Sequence, residues 1–195
     1  MTVTVVTGVL IGALIILGIR FFSYKPVSVH YHANFAVYIN GQREEFKNPI
    51  YYTEVEESCS SDQEMTPHER AHMHDNINDI VHVEDHAVTW GQFFQNLGWN
   101  ISVKLIETQQ QVYLTDTQNK VTFILNGEAT ENILNRVIED QDKLLVDYGS
   151  GSQNTLQEEY DAIPSTAHKY DVEQDPASCM GNKKITVHDR LTHLF

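Results

Sequence analysis

The chain has 195 residues and a mass of 22.3 kDa, with 41% hydrophobic and 21% charged residues; this suits a membrane segment plus one ordinary domain and argues against wholesale disorder. Thirteen Lys and Arg against 27 Asp and Glu give a formal charge of −14, which argues against a nucleic-acid partner because phosphate binding needs clustered cations. Ten His with only two Cys exclude a disulfide-dense scaffold and a four-cysteine zinc site.

Residues 1–19 carry no charged side chain, and the apolar run from Val3 ends at Arg20. A helix of ~20 residues spans the ~30 Å hydrocarbon layer, so residues 1–24 are expected to be an uncleaved single-pass anchor in contact with lipid. Phe21, Phe22 and Tyr24 would form an aromatic belt, with Arg20 and Lys25 beside the headgroups. Gly8 and Gly12 form a G-x-x-x-G, which lets another membrane subunit's helix approach closely. Orientation signals conflict. The basic residues Arg20 and Lys25 follow the apolar run, which points the domain inward. The other 11 basic residues stand against 27 acidic ones. Cys59 and Cys179 are the only two cysteines, as one structural disulfide requires. The expectation is a C-terminal domain outside the cytoplasm with Cys59 bonded to Cys179.

Residues 27–40 alternate with period two, so a half-buried strand is expected. Val29, Tyr31, Ala33, Phe35 and Val37 take one face; His30, His32 and Asn34 take the other, polar one. Asn40-Gly41 predicts a hairpin and a return strand through Phe46 toward Tyr51 and Tyr52. Residues 56–79 read as a long loop. Within it, Thr66-Pro67-His68-Glu69 has the cap, proline and glutamate of a helix start. Residues 80–88 resume strand alternation. Thr89-Trp90-Gly91-Gln92 is a second capping box, opening a helix with Trp90, Phe93, Phe94 and Leu97 on one face and Gly98 at its end. Strands are expected at 99–107, 112–115, 121–126 and 143–148. Residues 149–152 form a flexible break, Thr155 caps another short helix, and a last helix starts at Thr186. The order predicts an α+β fold: an anchor at 1–24, a His-rich mixed-sheet domain at 25–149, and an extension at 150–195 whose short helices pack on that domain.

The stretch Val121-Thr122-Phe123-Ile124-Leu125-Asn126-Gly127, with Asp140 to Gly149 after it, resembles the closing strands of β-grasp domains. That likeness implies a mixed sheet crossed by the Trp90–Leu97 helix, and no activity. The wider pattern joins an anchor, a His-Tyr-His strand, a His-Met-His-Asp loop and a Val-His-Val strand. It resembles bacterial and archaeal single-pass membrane proteins with a His-rich outer domain, and implies no particular chemistry.

Seven of the ten His fall within residues 30–86. His30 and His32 are two apart on a strand and share a side, as do His82, Glu84 and His86. His72 and His74 sit between the two strands. Neutral imidazole is the commonest metal ligand, so His30, His32, His72, His74 and His82 are the expected ligand set, four of them direct. Asp75, Asp79 and Glu84 would be further ligands or orienting acceptors, and His68 and His86 are possible ligands that rank below the five. Imidazole-rich sites without thiolates suit copper or zinc. The competing reading is a solvated polar face that is merely rich in His. His68-Glu69-Arg70-Ala71-His72 also matches H-E-x-x-H, in which Glu activates a zinc-bound water, but Glu69 fits better as a capping partner. No phosphate-binding loop or nucleophile elbow is present. Two functions follow: an extracytoplasmic metal-binding protein, or an accessory subunit of a larger membrane complex.

Overall fold

The computed structural model describes residues 2–24, 29–53, 66–172 and 186–194. Lys25, Val27, Cys59 and Cys179 lie outside the described residues. The chain divides into two compact units, residues 1–28 with 182–195, and residues 29–181.

The first unit contains α1 (Thr2–Ser23) and α6 (Val187–Thr192). Among the described residues, α1 is the one helix long and apolar enough to cross a membrane, a character that signal sequences share. Its 22 residues span about 33 Å at 1.5 Å each. Val5, Leu10, Leu14 and Ile16 are all exposed. A helix ends with unsatisfied carbonyls that a basic side chain can serve. Here Arg190 donates to the carbonyls of Phe21 at 2.6 Å and Phe22 at 3.3 Å. Tyr24 stacks on His193 with ring centroids 4.7 Å apart.

The second unit is built on a seven-stranded mixed sheet. Its strands are β1 (Tyr31–Ile39), β2 (Gln42–Arg43), β3 (Ala71–His72), β4 (Ile80–Val83), β8 (Lys120–Leu125), β9 (Glu128–Thr130) and β10 (Lys143–Gly149). The order is β3-β4-β1-β10-β8-β9, with β2 also on β1. Among the described strands of this sheet, β1 and β10 pair in parallel and the other pairs are antiparallel. β5 (Asn100–Ser102), β6 (Leu105–Glu107) and β7 (Val112–Leu114) form a separate small sheet. The α+β architecture is therefore observed.

Alternation in β1 decides what each face meets. Ala33, Phe35 and Val37 are fully buried in the main core with Trp90, Phe93 and Phe94 of α3 (Trp90–Asn96). The opposite face is not solvated, contrary to the polar-face reading. Ala36 packs there with Leu145 and Ile163, and with Leu156 and Tyr160 of α4 (Gln153–Asp161). α5 (Ala167–Val172) covers the same strand. The covering helices come from the chain's C-terminal part, so a window on residues 27–40 could not reveal them.

Local departures have local causes. The return strand stops at Arg43, because Phe46 takes φ 43° and turns its ring into the core, and Asn48 then caps a 3-10 turn at Pro49–Tyr51. The loop at 56–79 contains the unforeseen β3 and, before it, α2 (Pro67–Arg70). The strand from residue 80 ends at Val83, since Ala87 has φ 57° and Thr89 already caps α3. That cap is reciprocal: Gln92 N–H donates to Thr89 Oγ1 at 3.2 Å and Thr89 N–H to Gln92 Oε1 at 2.9 Å. The 99–107 strand is a hairpin of two. α4 is capped by Ser152, which accepts from Thr155 N–H at 3.3 Å.

Candidate metal centre

Strand pairing assembles the site. His32 on β1 stands directly opposite His82 on β4, and His72 on β3 stands opposite His82 from the other side. Side chains of directly paired residues share a face and lie close, so three imidazoles form a row across three strands. His30 precedes His32 by two residues and joins the row. His74 follows β3 by two.

The five rings lie together. Measured between ring centroids, His82 is 4.0 Å from His32, 4.1 Å from His74, 4.8 Å from His30 and 5.6 Å from His72. His32, His72, His74 and His82 are buried, and the His30 side chain is 19% exposed. Among the described residues, His30, His32 and His82 are the group whose ligand atoms all lie within 4.8 Å of one another. His32 Nε2 and His82 Nε2 are 3.0 Å apart. Two nitrogens at ~2.0–2.1 Å from one ion and that far from each other subtend roughly 95°, an angle adjacent ligands can adopt.

Carboxylates orient two of the rings. His32 Nδ1–H donates to Asp171 Oδ1 of α5 at 2.6 Å, which leaves the His32 Nε2 lone pair facing His82. His74 Nδ1–H donates to Asp75 Oδ2 at 2.8 Å. This is the arrangement that fixes imidazole tautomers at metal sites. With Asp171 setting the His32 tautomer, His82 Nε2–H donates to His32 Nε2 when no ion intervenes. Burial, and then the imidazoles of His32, His74, His72 and His30, push protonation of His82 far below the ordinary histidine value. The ring is thus neutral, the form that ligates. Burial also raises the Asp171 carboxyl above its ordinary range.

The remaining candidates are placed as follows. Glu84 Oε1 lies 3.8 Å from His30 Nε2, with the side chain 3% exposed. Asp79 pairs with Arg43 at 3.3 Å. His68 and His86 are exposed and outside the cluster. The H-E-x-x-H run does not form a peptidase helix, because α2 ends at Arg70 and His72 belongs to a strand. Glu69 accepts from the Thr66 backbone N–H, as a capping partner does.

Asp171 was not foreseen. It stands 139 residues from His32 in sequence. Its local signal was the Pro164-Ser165-Thr166 helix start before α5, which says nothing about what that helix covers.

Comparison of the chain with protein-family models, with curated proteins and with solved structures finds no match.

Proposed function

We propose that this chain is a membrane-tethered protein whose outer domain binds one transition-metal ion, copper or zinc, through imidazoles. The observation that carries the reading is the His32–His82 pair, with Nε2 atoms 3.0 Å apart, joined by His30 within 4.8 Å. Three nitrogen ligands and no thiolate suit zinc or Cu(II), and Cu(II) binds more tightly in the divalent series. His74 or Glu84 would complete the coordination. The helix α1 supports tethering. The acidic surplus and the cysteine pair support a domain outside the cytoplasm, with a Cys59–Cys179 disulfide. The sheet order β4-β1-β10-β8-β9, with α3 following β4, supports the β-grasp likeness.

The test is elemental mass spectrometry of the full chain purified in lipid nanodiscs. One equivalent of copper or zinc is expected, lost in His32→Ala and His82→Ala and retained in His193→Ala. A protein that takes up neither metal from either salt overturns the reading. If such a protein also co-purifies with membrane proteins, the accessory-subunit reading gains. Protease added to intact cells is expected to digest the domain; digestion only after lysis would reverse the topology.

A further inference from the structure

We infer that α5 is a metal-coupled cover, so that docking of this helix and loading of the site are one linked equilibrium, with Asp171 as the positioning residue. The inference rests on the metal-binding reading above. It starts from how α5 is held on the sheet. At its N-terminal end, Asn34 Oδ1 accepts from Thr166 N–H at 3.0 Å and from Ala167 N–H at 2.9 Å, while Asn34 Nδ2 donates to Thr166 Oγ1 at 3.2 Å. At its other end, Asp171 accepts from His32 Nδ1–H at 2.6 Å. The Tyr170 ring lies 5.7 Å from the His32 ring between those two attachments. Asn34 and His32 are neighbours on one face of β1, so a single strand face both ligates and holds the cover.

The two attachments differ in what a metal does to them. The Asn34 bonds are neutral and indifferent to the ion. The Asp171 bond is not, because an ion on His32 Nε2 draws electron density from the ring and makes Nδ1–H a stronger donor to a carboxylate. Loading therefore tightens α5, and a docked α5 makes His32 a better ligand. Thermodynamic linkage requires the two effects to be equal: the factor by which docking raises affinity is the factor by which metal favours docking. His32 is fully buried beneath the helix, whereas the His30 side chain keeps 19% exposure.

The experiment uses the full chain in nanodiscs, with zinc as the probe. Zinc affinity is measured by chelator competition, and hydrogen exchange of the α5 amides is followed with and without zinc. Asp171→Ala is expected to weaken zinc by about 10–100-fold, Asp171→Asn by less, and wild-type α5 to exchange more slowly when loaded. Asn34→Ala, which touches no ligand, is expected to weaken zinc as well, and Thr166→Val serves if that variant fails to fold. If the wild type binds zinc, yet α5 exchange is unchanged and Asp171→Ala binds as tightly, the coupling is wrong while the metal reading stands. If Asp171→Ala weakens zinc but zinc leaves α5 exchange unchanged, Asp171 acts on His32 alone and the cover is overturned. If the wild type binds no zinc and no copper, both readings fall.

Discussion

His32 and His82 are directly opposed residues on adjacent antiparallel strands, and their Nε2 atoms approach to 3.0 Å. Fifty residues separate them in sequence, so their meeting depends on the β1–β4 ladder rather than on any local turn. The backbone places them, and a carboxylate from a third element settles which nitrogen carries the proton.

His82 touches all four other rings, whereas His72 and His74 lie on one side of it. Replacing the hub should therefore cost more than replacing a flank. His82→Ala is expected to lower metal affinity by more than the ~10–100-fold typical of outer partners, with His72→Ala staying within that range and His74→Ala, at a candidate fourth ligand, falling between the two. Calorimetric titration at constant pH checks the order. Equal losses at all three positions would remove His82 from the centre.

Gly91 sits in α3 where a β-carbon would come within 2.6 Å of the Leu134 carbonyl oxygen. The neighbour is backbone, whose carbonyl also accepts from Gly91 N–H at 3.2 Å, so it has little freedom to move. Gly91→Ala is expected to destabilise the domain by roughly 1–3 kcal/mol, despite a helix-propensity gain of up to ~1 kcal/mol. Urea unfolding gives the sign directly.

Phe35 is fully buried among the rings of Phe46, Trp90, Phe93 and Phe94. Phe35→Ala is expected to cost about 3–5 kcal/mol, seen as a lower urea midpoint with little change in slope.

Asp147 of β10 and Glu159 of α4 form a buried acidic pair. Burial, then the charge of Glu159 and a hydrogen bond with it, push the Asp147 carboxyl up to about 7. Burial raises Glu159 as well. A carboxyl whose folded value lies above its unfolded one binds protons better when folded. Its stabilising contribution is complete below the unfolded value of ~3.9 and is lost as pH rises to about 7. Domain stability is expected to fall across that window, and Asp147→Asn should flatten the fall. A variant as pH-sensitive as the wild type would place the titration elsewhere.

Whatever was written in neighbouring residues could be read from the sequence. Period-two alternation around Phe35, the reciprocal cap at Thr89 and the shared face of His30 and His32 each need a few positions, and each was legible. Two-residue spacing on strands put His30, His32 and His82 on the faces they take, whereas His72 and His74 were expected on a connecting loop. The partners supplied by distant segments were not legible. Asp171 reaches His32 through a six-residue helix with no apolar period of its own. Two-residue β3 is too short to alternate, so His72 looked like loop. That the polar face carrying His32 and Asn34 is covered was not legible, because its cover arrives more than a hundred residues later.

A strand that carries core on one face and an imidazole cluster on the other has no tolerance for a shift of phase. Sliding β1 by one position against β4 and β10 would send Phe35 toward α5 and His32 into the aromatic core. Fold and site would then fail together, not one after the other. An insertion or deletion between His32 and Val37 is thus a different kind of lesion from any substitution there. Sequence drift in this segment can exchange side chains but cannot change their number.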